Sequence, residues 1–139
     1  MRINIKKLHP DAVTPSYARL LDSGADITAI SMQEDFENKV ISYGTGLAIE
    51  IPEDYVGLLF PRSSVYKKDL ILSNCCGVVD PGFAGEIQFK FKTFPGYCHY
   101  HVGDRVGQLI IIHRPKLEFN VVQEFTGYDR GGGFGSSGS

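Results

Sequence analysis

The sequence predicts an all-β fold: a sandwich, a jelly roll or a distorted barrel. Apolar and polar residues alternate with a period of two along several short segments, and Gly, Pro or Asp bounds most of them within a few residues. Helical periodicity is scarce. At 139 residues and 42% hydrophobic, the chain holds apolar side chains for one core, so one β domain is expected.

In chain order, the alternating segments are Arg2 to Lys6, Leu47 to Ile51, Tyr55 to Phe60, Glu86 to Lys92, Arg105 to Ile112 and Leu117 to Val122, each predicted as a strand. Met32 to Lys39 follows Ser31, an N-cap residue, and predicts one or two helical turns. Turns are expected at Ile51-Pro52-Glu53-Asp54, Asp80-Pro81-Gly82, Phe94-Pro95-Gly96 and Val102-Gly103-Asp104. Asn74 to Gly85 predicts a β-hairpin whose second arm carries Asp80 and Phe83. Within Arg105 to Ile112, parity puts Val106, Gln108, Ile110 and Ile112 on one face, so an amide among aliphatic side chains needs a hydrogen-bond partner.

Composition narrows the partners. A net charge of −2 gives no broad basic surface for nucleic acid or an anionic membrane, so an anionic ligand must be met by a few placed arginines or a metal ion. No stretch approaches the roughly 18 apolar residues of a membrane span. Met1 to Lys7 lacks the apolar core of a secretion signal, and Cys75, Cys76 and Cys98 have no CxxC spacing, so a reduced, cytoplasmic protein is expected. His99 and His101 would share one face of a strand, but without further ligands at a recognisable spacing they predict a half-exposed aromatic strand rather than a zinc site.

Several stretches carry chemistry. Phe60-Pro61-Arg62-Ser63-Ser64 ends an apolar strand in a cation and two hydroxyls, a cluster suited to phosphate oxygens; by itself it also reads as an ordinary strand-end turn. Pro81 biases Asp80 to an extended backbone, which aims its carboxylate. Leu21 to Ile27 places Asp22 and Asp26 around a small-residue turn. From Asp129 to Gly138, an arginine, glycines, one aromatic and hydroxyls have the makings of a phosphate clamp, and equally those of a polar tail. The expected division is a β domain over residues 1–128 and a Gly-rich arm over 129–139.

Taken together and in order, these stretches resemble the five motifs of the trimeric all-β dUTPases. Ser23-Gly24-Ala25-Asp26-Ile27 resembles the first, Pro61-Arg62-Ser63-Ser64 the second, Asn74 to Gly85 the third, Gly103-Asp104-Arg105-Val106-Gly107-Gln108 the fourth, and the run from Arg130 to Gly138 the fifth. Gly46 to Pro52 and Tyr55 to Gly57 are similar to that family as well.

The resemblance implies a jelly-roll subunit, a homotrimer with active sites between subunits, and Mg²⁺-dependent hydrolysis of dUTP to dUMP, a thymidylate precursor, and pyrophosphate. It implies that Asp80 activates the attacking water, that Asn74 and the backbone of Gly77, Val78 and Val79 hold uracil, and that Phe83 covers the deoxyribose while Phe134 stacks on the base. It places Arg62, Ser63, Ser64, Gln108, Arg130, Gly135, Ser136 and Ser137 at the phosphates, and Asp26 near the metal through water.

The chain departs from the pattern at Phe83, where the family has tyrosine, at Ala25, where a larger residue is common, and between Arg130 and Phe134, where it is one residue short. Two alternatives are a dCTP deaminase or bifunctional relative, against which Lys90 stands where a catalytic glutamate is needed, and a phage-type regulatory protein acting on a protein partner.

Overall fold

A computed structural model describes residues 1–129, 131 and 132. Ten strands run in chain order: β1 Ile5–Lys7, β2 Ala25–Thr28, β3 Ser31–Asp35, β4 Val40–Gly44, β5 Leu47–Ile49, β6 Tyr55–Phe60, β7 Leu70–Leu72, β8 Gly77–Val79, β9 Gln88–Thr93 and β10 Arg105–His113. A short 3₁₀ helix, Ser63–Lys67, follows β6. One four-stranded sheet has the order β2-β10-β6-β8 and the other β3-β4-β9-β7, all neighbours antiparallel, while β1 and β5 form a separate pair. No helix among the described residues is long and apolar enough to cross a membrane.

The two sheets supply one core. Ile27, Leu59, Val79, Val106 and Leu109 come from the first and Ile41, Tyr43, Leu70, Leu72, Phe89 and Phe91 from the second, all buried. Each such side chain contributes about 1.5–3 kcal/mol on leaving water. Two deeply buried hydroxyls have partners: the Tyr43 hydroxyl donates to the Tyr100 carbonyl at 3.0 Å, and Thr45 Oγ1 donates to the Ile87 carbonyl at 2.7 Å. Burial pushes the Tyr43 phenol up to about 12.

Four expectations are corrected. Residues 31–35 form a strand, not a helix: every one is exposed, so no apolar stripe holds a helix down, and pairing with β4 wins. Asp35 closes the following turn by accepting from Asn38 N–H at 3.0 Å. Residues 98–101 are not a strand, because side chains take their backbone groups: Asp69 accepts from Cys98 N–H at 2.9 Å and Lys68 donates to the His99 carbonyl at 3.1 Å.

Residues 74–85 are not a self-paired hairpin. β7 pairs with β9 in one sheet and β8 with β6 in the other, so the turn through Asn74 crosses between layers. Residues 117–122 make no strand in the single chain, and Leu117, Phe119 and Val121 are 67%, 87% and 97% exposed. A strand requires a neighbour's hydrogen bonds, and the last such backbone bond among the described residues joins Arg114 N–H to the Asp54 carbonyl.

Candidate active site

Strand order builds the first half of the site. In the row β2-β10-β6, Gln108 of β10 pairs with Asp26 on one side and Phe60 on the other. The chain leaves β6 at Phe60, so Arg62 arrives two residues beyond, beside the same row. Its Nε donates to Asp26 Oδ1 at 3.0 Å, and Arg105 Nη1 donates to Asp26 Oδ2 at 3.1 Å. The Asp26 side chain is 12% exposed and bridges two arginines that are 27% and 49% exposed.

The Gln108 amide finds its partner in the Pro61 carbonyl, at 3.0 Å. Gly24 leaves room for the Gln108 amide, which a Cβ there would push aside. Parity fails on β10 because the register shifts between Arg105 and Gly107: the bulge sends Val106 into the core with Leu109, and Gln108 and Ile110 to the opposite face. A cavity of about 270 Å³ follows, lined by Asp22, Gly24, Asp26, Arg62, Ser63 and Gln108. Ser63 and Ser64 open the 3₁₀ helix, with Arg62 extended at its start.

The second half lies elsewhere in the chain. β8 is an edge strand, so Gly77, Val78 and Val79 keep backbone groups that no strand takes, with Asn74 in the turn before them. Asp80 is exposed and opens a turn closed by Phe83 N–H on the Asp80 carbonyl at 3.2 Å. Gly82, with φ of +83°, supplies the left-handed residue after proline that this turn requires. Phe83, 46% exposed, faces a cavity of about 660 Å³ shared with Ile5, Lys6 and Glu50.

Asp80 and Arg62 do not meet within one chain, although Gly77, paired with Leu59, lies toward the Arg62 end of β6. Val79 pairs with Gly57, which sets Asp80 beside Val56, while Arg62 follows the other end of β6. Six residues at strand rise separate them by roughly 20 Å.

Arg130, Phe134, Gly135, Ser136 and Ser137 lie outside the described residues. Lys90, on the deaminase alternative, is exposed on β9 opposite Ser42. Sequence reasoning missed Arg105. The residue lies inside the fourth stretch, yet nothing local reveals that a bulge and a cross-strand register bring it to Asp26.

A dUTPase family model matches residues 11–138. The deoxyuridine 5'-triphosphate nucleotidohydrolase of Thermobifida fusca is 34% identical, with 99% of this chain and 79% of that one covered. Its counterpart from Escherichia phage T5 is 33% identical with 99% of each covered. Among solved structures, the dUTPase of Staphylococcus bacteriophage 80alpha, bound to dUPNHPP and described as one of the phage dUTPases that control transfer of virulence genes, superposes with a TM-score of 0.80 at 29% identity over 99% of each chain. With the motif order, the strand layout and these matches in agreement, the chain belongs to the dUTPase family.

Proposed function

We propose that this chain is a cytoplasmic dUTP diphosphatase that works as a homotrimer, each active site joining the Arg62 half of one subunit to the Asp80 half of another. The separation of Asp80 from Arg62 along β6 is the observation that carries the shared site. The exposed apolar run Leu117, Phe119, Val121, Phe125 supports it, because a chain acting alone would leave those side chains in water.

The reaction needs few protein groups. A water held by Asp80 attacks the α-phosphorus; its oxygen bonds to phosphorus as the bond to the bridging oxygen of the β-phosphate breaks, its proton passes to the carboxylate, and pyrophosphate departs. A carboxylate is a weak base, so most of the rate comes from holding water in line and from cations opposite developing charge. Arg62, with Ser63, Ser64 and Gln108, holds the phosphates. The free edge of β8, with Asn74, reads uracil; cytosine reverses the donor and acceptor there and leaves buried groups unpaired. Phe83 walls the sugar without a hydroxyl.

The enzyme is Mg²⁺-dependent, and the donor set fits an ion held mainly by substrate. Among the described residues no cluster of three or more His, Cys, Asp or Glu forms a cage. Asp26 spends one lone pair of each oxygen on an arginine and keeps others for a bridging water. When bound, Mg²⁺ supplies positive charge against the triphosphate.

Pyrophosphate release measured side by side on dUTP, dCTP, dTTP and UTP tests the activity, with release from dUTP alone expected. Ammonia from dCTP would overturn it. Light scattering tests the assembly, and a fully active monomer would remove the shared site. Likeness to the 80alpha dUTPase favours a regulatory protein partner as well. Cross-linking in the producing cell, with and without dUTP, checks this; no cross-linked species in either state removes the partner.

A further inference from the structure

Two glycines flank Phe83 in the segment that follows Asp80, and they are there for opposite reasons. Gly82 has φ of +83°, and a Cβ placed on it would meet nothing within 4 Å, so its backbone rather than its space disfavours other residues. Gly85 lies outside the left-handed region, so its φ is one that any residue adopts. Its space is the constraint: a Cβ there would stand 2.8 Å from Cζ of Phe83, 3.1 Å from Cε2 and 3.4 Å from Cε1. Unbonded carbons rest about 3.5–4.0 Å apart, so the ring and a methyl group cannot both keep these positions.

The far edge of the Phe83 ring therefore lies over Gly85. The ring is 46% exposed and stacks on no other aromatic ring among the described residues. Phe83 N–H is held to the Asp80 carbonyl at 3.2 Å, which fixes where the side chain starts. Contact with Gly85 fixes where it ends, and without that contact a half-exposed phenylalanine is free to change rotamer.

We propose that Gly85 is a positioning residue for sugar specificity: it seats the Phe83 ring at the distance that admits deoxyribose and refuses ribose. The inference rests on the dUTP reading above, in which Phe83 walls the sugar. A hydrocarbon wall rejects an added hydroxyl only by lack of room, so its placement sets the discrimination. Lifting the ring off Gly85 narrows that discrimination in either direction. A ring swung away from the sugar opens room for a 2′-hydroxyl; a ring swung toward it crowds deoxyribose and removes the advantage of dUTP.

Steady-state kinetics on dUTP and UTP with Gly85→Ala, Phe83→Ala and the double variant test the seat. Gly85→Ala should raise KM for dUTP about tenfold with kcat within about twofold, and narrow the dUTP-to-UTP ratio of kcat/KM by a similar factor. In the Phe83→Ala background the same change should have no effect beyond about twofold, because no ring is left to move. The melting temperature of Gly85→Ala should not fall, since alanine restricts the unfolded chain and the folded backbone accepts it. Ring-labelled phenylalanine NMR of the resting protein reads the seat without substrate: Gly85→Ala should shift the Phe83 signal, identified by its absence in Phe83→Ala. An unshifted signal, equal losses in both backgrounds, or a shifted signal with parent-like discrimination overturns the inference. A parent protein that does not cleave dUTP removes the activity reading instead, and the ring signal still decides the seat.

Discussion

Asp26→Asn isolates what holds Arg62 in place. Each carboxylate oxygen takes one arginine, Arg62 Nε at 3.0 Å and Arg105 Nη1 at 3.1 Å. The amide keeps one acceptor but turns the other into an N–H₂ facing a guanidinium, which itself only donates. Breaking a fully buried pair costs about 3–5 kcal/mol, whereas an exposed pair is worth about 0–1 kcal/mol. Asp26 is 12% exposed but its arginines are 27% and 49% exposed, so water recovers part of the loss and about 2 kcal/mol lies between the limits. At this chain length that lowers the melting temperature by about 7 °C.

Turnover should fall further than stability alone accounts for, at least tenfold in kcat/KM, because an untethered Arg62 must be ordered anew at each encounter. Calorimetric melts of Asp26→Asn, Arg105→Gln and the double variant, with dUTP kinetics on each, check this. The double variant should lose less than the sum of the singles, since both delete bonds to one carboxylate. A melting temperature within 2 °C of the parent together with unchanged kcat/KM would refute the reasoning.

Asp80→Asn should drop kcat below about a tenth while dUTP binding stays within a few-fold, since the amide keeps the shape but takes no proton; single-turnover kinetics beside equilibrium binding decide it. Ending the chain at Asp129 should cut kcat on the order of a hundredfold and leave the melting temperature unchanged, as expected of a polar, glycine-rich sequence proposed to act on bound nucleotide; full activity would remove that role. Glu86 is held below the ordinary carboxyl value of 4.5, first by the Gln88 amide and also by the Gly46 and Thr45 N–H groups, against the opposite pull of burial. The unfolded chain therefore takes up this proton first on acidification, and the stability Glu86 contributes is lost as pH falls from 4.5 through its folded value. Glu86→Gln should flatten the acid limb of a melting-temperature profile, and parallel limbs in both proteins would rule this out.

Much of the architecture was legible because alternation is a local signal. Tyr55 to Phe60 is the strand the pattern predicts, and the turns at Pro52, Pro81 and Gly103 close as expected. What failed depended on distant partners. Met32 to Asp35 carries helix formers, but β4 offers it hydrogen bonds and no surface offers a helix an apolar seat. The alternation from Leu117 to Val122 is genuine, yet the single chain gives it no neighbour. Parity on β10 breaks at a bulge whose cause lies in its pairing with β2. Motif order identified the regions holding Arg62, Gln108 and Asp80; the role of Arg105 emerged only from contacts across the fold.

The length of β6 has a genetic consequence. Because Asp80 and Arg62 stand at its two ends, in the proposed assembly a lesion at either position spoils every site built from identical chains, yet the two lesions fall on different contributors to each site. A chain lacking Asp80 and a chain lacking Arg62, inert separately, should restore one another when mixed, since some junctions then unite the intact Arg62 of one with the intact Asp80 of the other. The defects behave as complementing alleles, and dilution that separates the chains silences both again.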